Sequence, residues 1–412
     1  MIKYAYMSER LKRVLFIVGF LGIIVIVTYA IYAVFFRAPS QVVTTPPSVE
    51  GEPGGTTGLP GAGEGISTPP STPTDPGTTL PPSEVAQGGR TETQRLTSSE
   101  VMAATLAGDG SGMNYYDPDD GKFYTVDSDG EVSPLSDAAF PDAETIVWDG
   151  AADTVVIEFP DGSNIIYDFE SEEQTTLPAH WEEFDFSDAG TEVIAKSIGN
   201  DPNARALVVT AIDGSQTQVI AALGNNADLV DVAWSPNDQV VAFSNTGGSQ
   251  SGFGRNMILP IGMNDENFKG LVVEGISFHA IWSPDGAQIL YDVTGPTSSY
   301  RPLLWIVDGS PKTMGDDRRS LGLNTWVEKC TFADASTIYC AVPQYLPENA
   351  GLQPELNTIQ DSIYRVDLTS SKVRLVGEPE DRTQMSNLAV SENGAYLYYT
   401  DEDGRLQQMR LK

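Results

Sequence analysis

Histidine is almost missing from this chain, and cysteine and basic residues are scarce. Two histidines, two cysteines and 24 Lys+Arg stand against 57 Asp+Glu in 412 residues, a net charge of −33. Each shortage excludes something. A surface this acidic repels phosphates, which proteins hold through Lys and Arg, so nucleic acid is not an expected partner. Two cysteines and the two distant histidines, His180 and His279, lack the ligand spacing of a zinc site. No Gly-x-Ser-x-Gly elbow occurs, and a serine hydrolase of the α/β type needs one, with an acid and a histidine beside it. His279 stands in Phe278-His279-Ala280-Ile281-Trp282 and is expected to make a structural hydrogen bond. The expectation is a non-catalytic protein with no cofactor, whose charge serves solubility first.

Long apolar runs are lacking too, with one exception. Val14 to Phe36 is an uncharged, mainly apolar run with Thr28, Tyr29 and Tyr32 towards its far end, and it has about the length that crosses a bilayer as a helix. Lys3, Arg10, Lys12 and Arg13 precede it, and after Arg37 no basic residue occurs until Arg90. The positive-inside rule then places residues 1–13 in the cytoplasm and the rest outside, at a cell surface or in a periplasm. A cleaved signal peptide is the alternative, but the run exceeds the usual signal core of about 7–15 residues. Residues 37–109 read as a flexible linker rich in Pro, Gly, Ser and Thr, as in Thr68-Pro69-Pro70-Ser71-Thr72-Pro73. Such a stretch has too few large apolar side chains to offset its ordering entropy. It serves as a spacer or as an O-glycosylated stalk, and a short helix is expected about Ser98 to Leu106.

What is present in the second half is a repeated phrase. Ala233-Trp234-Ser235-Pro236-Asn237-Asp238 returns as Ile281-Trp282-Ser283-Pro284-Asp285-Gly286, each followed by an apolar run. Degraded copies place Trp148, Phe186, Phe332 and Val390 where the tryptophan stands. An aromatic ends one strand, the Ser-Pro-Asp-Gly stretch turns the chain, and a β-rich run follows. The anchors Trp148, Phe186, Trp234, Trp282, Phe332 and Val390 are spaced by about 38 to 58 residues, against roughly 40–45 for blades of the WD type. The expected fold is all-β, a β-propeller over residues 110–412. Residues 113–136 read as three strands without a leading anchor, and form a first of seven blades. Alternatively they complete the last blade and leave six. Closing first against last removes exposed edges.

The Trp-Ser-Pro-Asp-Gly phrase resembles the WD-like repeat of TolB-type β-propellers, also found in the propeller halves of prolyl-oligopeptidase-type enzymes. The resemblance covers about residues 110–412 and implies a binding platform in the cell envelope. It carries no catalytic residues onto this chain. The expected partner is therefore a protein or envelope component, with a small ligand or a hydrolytic site in the central channel as the alternative.

Two further readings concern single sites. If Phe332 faces Ile338 across the hairpin around Ala333-Asp334-Ala335-Ser336, then Cys330 faces Cys340 at disulfide distance. Carboxylate-rich turns at Asp117–Gly121, Asp127–Gly130 and Asp401–Gly404 raise the question of Ca²⁺. None matches the calcium loop that ends in a distant Glu, and Asp-Gly is also an ordinary hairpin turn.

Overall fold

The computed structural model describes residues 81–412 apart from Phe253. The expected membrane segment 14–36 and the linker up to residue 80 lie outside the described residues. Seven small sheets follow one another along the chain, the seven-bladed propeller. Blade 1 runs Met102–Leu106, Met113–Asp117, Lys122–Val126 and Val132–Pro134, innermost strand first. Blades 2 to 6 begin with inner strands Thr145–Trp148, Trp181–Phe186, Val230–Val232, Ile276–Trp282 and Cys330–Asp334, and blade 7 with Ser386–Val390.

The first blade corrects two expectations. Residues 102–106 form its inner strand instead of a helix, so the propeller begins well before residue 110. The missing anchor is Leu106, which packs with Tyr115, Val126 and Tyr398. The ring closes through a segment expected to be linker. Thr93–Arg95 pairs antiparallel with Leu406–Arg410 as the outer strand of blade 7. Gly89–Thr91 adds a parallel fifth strand to the rim of blade 6. The six-blade alternative falls, because residues 113–126 have an inner strand of their own and blade 7 is completed from elsewhere.

In five of the seven blades one side chain locks the turn of the repeat. Ser283 Oγ accepts the Gln288 N–H (2.8 Å) and donates to Asp285 Oδ1 (2.7 Å). Ser235 treats Val240 and Asn237 the same way, and Ser391 treats Tyr396 and Asn393. In the worn copy Asp149 substitutes, its carboxylate accepting the Thr154 N–H at 3.0 Å. Ser235 and Ser283 are wholly buried, so the hydroxyl satisfies a backbone donor that water cannot reach. Gly286 sits at φ +64, and a Cβ there would lie 2.9 Å from the Asn237 side chain of the preceding turn. Asn237 Nδ2 donates to the Gly286 carbonyl (3.1 Å), joining one blade's turn to the next.

The core is seven separate apolar layers, one between each pair of neighbouring blades. Trp282 stacks on Phe243 of blade 4 (5.5 Å), and Trp148 meets Phe123 of blade 1 edge to face (5.4 Å). Phe186, Trp234, Phe332 and Val390 likewise sit in the layer shared with the preceding blade. Cys330 and Cys340 are register partners with Cα atoms 4.1 Å apart, joined as a disulfide. They sit against Leu290, Leu304 and Ile306 of blade 5.

Ser283→Ala leaves the half-buried Gln288 N–H without its acceptor and is expected to cost about 1 kcal/mol, read as a lowered midpoint in urea unfolding at unchanged slope. Reduction, or the double change C330A/C340A, opens a loop of about ten residues and is expected to cost roughly 2–3 kcal/mol. Both thiols staying unreactive to a maleimide until reductant is added checks the bridge itself.

Candidate functional site at the channel mouth

In every blade the inner strand begins at one end of the channel and the repeat turn closes it at the other. The polar chemistry collects at the first end. In blades 1, 3, 5 and 7 the inner strand opens with a register shift. Each shift carries a non-glycine residue in the left-handed region: Ala103, Glu183, Ser277 and Asn387, with φ between 48 and 55. Such bulges re-aim the side chains that follow, and here those include Glu183 itself and His279.

Buried charges pin each of three blades to the start of the next. Lys196, 3% exposed, pairs with Glu183 and donates to the carbonyls of Ala227 (3.2 Å) and Val230 (3.0 Å) at the start of blade 4. Asp292, 1% exposed, accepts the Val327 N–H (3.0 Å) at the approach to blade 6 and lies 3.6 Å from His279 Nδ1. Asp361 accepts Lys329 Nζ (2.6 Å) and the Met385 N–H (2.7 Å) at the approach to blade 7. Deeper in, Asp185 accepts the Trp234 N–H at 2.7 Å, and burial lifts its carboxyl to about 6.

Burial pushes the Asp292 carboxyl up, with His279 opposing. The Asp292 contact raises His279 against its own burial. Glu158, at the mouth end of blade 2, is pushed to about 7 by burial and by the carboxylates of Glu182, Glu183 and Glu144. His279, Asp292 and Glu328 each bring one donor atom to within 4.8 Å of the others. His279 and Asp231 also line an open groove of about 400 Å³ between blades 4 and 5. A larger cleft of about 730 Å³ lies at the opposite, turn end of blades 5 and 6. Its one cation, Arg319, donates to the Leu368 carbonyl at 2.5 Å, so the mouth holds the richer chemistry.

The acidic turns weighed for calcium use their carboxylates on their own backbone. Asp127 Oδ1 accepts from Asp129 and Glu131, and Asp401 Oδ1 from Asp403 and Arg405. His180 is exposed on a connection between blades. The repeat anchors lie in the inter-blade layers, away from the mouth. Sequence reasoning picked out His279 but missed Asp292 and Glu328. They carry no local motif and reach His279 only through strand register and the approach to blade 6.

No family model matches the sequence, and no curated protein matches it. Among solved structures the chain is similar to an oligogalacturonate lyase in complex with manganese, at 15% identity and a TM-score of 0.54, over 78% of this chain and 93% of that one. It is also similar to oligogalacturonate lyase from Vibrio parahaemolyticus, at 13% identity and a TM-score of 0.55, with coverage of 78% and 93%. At such identities the likeness shows the fold alone. The class is the seven-bladed β-propeller.

Glu158 supplies a pH signature. Its folded pKa of about 7 lies above the ordinary 4.5, so the folded state holds an extra proton between those values. Stability is expected to fall as pH rises from about 4.5 to 7. Glu158→Gln should remove that decline and raise Tm by a few degrees at pH 8 while leaving it unchanged at pH 4, as scanning calorimetry across pH would read.

Proposed function

We propose that this chain is a TolB-type, non-catalytic propeller, tethered to a membrane by residues 14–36, whose channel-mouth face binds a protein or envelope component outside the cytoplasm. The tether reading rests on the apolar run and its basic flank. Among the described residues no helix is long and apolar enough to cross a membrane.

The observation that carries the binding reading is the placement of exposed apolar side chains. Tyr345, Leu352 and Leu356 are 64%, 47% and 66% exposed on the blade 6 insertion between Pro343 and Asp361. Leu229 and Ile276, 45% and 51% exposed, stand at the starts of blades 4 and 5 on the same end. The insertion is held in place: Asn349 and Gly351 donate to the carbonyls of Ser299 and Tyr300 (3.0 and 2.9 Å), and Arg301 Nε donates to the Leu346 carbonyl (2.7 Å). Fixed, exposed apolar groups inside a polar rim are the makings of a protein contact. The groove beside His279 favours a second reading, a small ligand at the channel mouth, of the kind that pockets with a few convergent polar groups take.

Proximity crosslinking on intact cells tests the first reading. The wild-type chain is expected to capture one envelope or secretion component repeatedly. Y345S/L352S/L356S should reduce that capture at least tenfold, roughly the loss of one strong anchor, with Tm unchanged. Equal capture by the variant, or recovery of abundant neighbours alone, would refute it and turn attention to the groove.

A further inference from the structure

We propose that His279, Asp292 and Glu328 form a binding site for one first-row divalent cation, of the Zn²⁺ or Mn²⁺ kind, at the channel mouth between blades 5 and 6. The three donors come from separate elements. His279 lies on the inner strand of blade 5, just past the left-handed residue Ser277. Asp292 is its register partner on the second strand. Glu328 sits on the short turn Val327–Lys329 that leads into blade 6. Their donor atoms lie within 4.8 Å of one another, a spread that small side-chain rotations close to the donor separations set by metal–ligand bonds of about 2.0–2.2 Å.

A second, independent observation points to a ligand. Asp292 is 1% exposed, and its Oδ1 is used by the Val327 N–H. Its Oδ2 is buried and has no hydrogen-bond partner among the described residues. A native interior rarely leaves a carboxylate oxygen so. The charge is unbalanced in the same direction. Even a protonated His279 leaves two carboxylates facing one cation. Lys329, next in the chain to Glu328, is committed to Asp361 at 2.6 Å. No other basic residue pairs with Asp292 or Glu328 among the described residues. A dication at this point would neutralise both carboxylates, reached on the Asp292 side through the oxygen that faces His279.

The donor chemistry selects the metal. An imidazole nitrogen with two carboxylates suits a borderline first-row ion, whereas Ca²⁺ asks for six to eight oxygens. Three protein ligands leave positions open toward the channel, the arrangement in which a bound metal also accepts water or an anionic group. The nitrogen facing Asp292 is Nδ1, so the ring would bind as the neutral imidazole through that atom.

The test uses the purified full-length chain, stripped with a chelator and titrated calorimetrically with ZnCl₂, MnCl₂ and CaCl₂. The expected result is one Zn²⁺ or Mn²⁺ per chain, tighter than Ca²⁺, with a rise in Tm that grows with metal concentration. Glu328→Gln and His279→Ala change exposed side chains and should keep the fold. Each should weaken binding at least about tenfold, no less than the loss of an outer-sphere partner brings. Asp292→Asn retains an acceptor for Val327 and should abolish binding. Absence of binding, binding unchanged in both H279A and E328Q, or preference for Ca²⁺ would overturn the proposal. None of these outcomes bears on the apolar contact face, which the crosslinking tests separately.

Discussion

The propeller depends on burying both faces of every blade against its neighbours. A single repeat unit leaves its apolar faces bare, and every apolar layer here is built from two neighbouring blades. A blade's apolar residues divide between two layers, one shared with the blade before and one with the blade after. Leu290 of blade 5 shares one layer with Cys340 of blade 6, while Tyr291, next in the strand, shares the other with Phe243 of blade 4. That alternation is the period of a strand made into a ring. It requires the circle to close, because an open end would leave one apolar face and one strand edge bare. Thr93–Arg95 beside Leu406–Arg410 supplies the closure, and Leu96, Val101 and Tyr398 fill the layer behind it.

The repeat phrase belongs to that requirement and not to recognition. Its aromatic fills the layer toward the preceding blade. Its serine satisfies the first buried N–H of the next strand. Its Asp or Asn accepts a hydrogen bond from the serine hydroxyl, and Asn237 also reaches the neighbouring turn. Because the phrase does structural duty, its copies wear down wherever another side chain does the same duty. Asp149 replaces the serine, and Leu106 and Val390 replace the aromatic.

The opposite end of the channel is free of that duty and carries the irregular features. Left-handed bulges, buried charges that bridge blades, a fixed insertion with exposed Tyr345, Leu352 and Leu356, and the His279 cluster all lie there. Bulges and long insertions are devices by which a rigid scaffold aims side chains. A partner contact and a metal site on this face are compatible. The first uses apolar groups on the blade 6 insertion, and the second uses donors nearer the axis. The strong acidity of the chain adds a field that gathers cations and discourages anionic polymers such as nucleic acid.

By itself the sequence determined the fold class, the seven-fold count as the leading reading, the positions of six anchors and the register that sets Cys330 against Cys340. All of these rest on local pattern, a period-2 run after a turn signal, which a linear string records. Tertiary structure decided what depends on distant pairing. Gly89–Thr91 and Thr93–Arg95 are three-residue polar edge strands with no hydrophobic alternation, so only their partners identify them. Residues 102–106 were legible as an ordered segment but not as a strand, since the partner that makes them one stands across a glycine-rich turn. Asp292 and Glu328 gain meaning only when register and ring geometry bring them to His279. The stretch from 14 to 36 remains a statement about hydropathy and charge, which need no partner to be read.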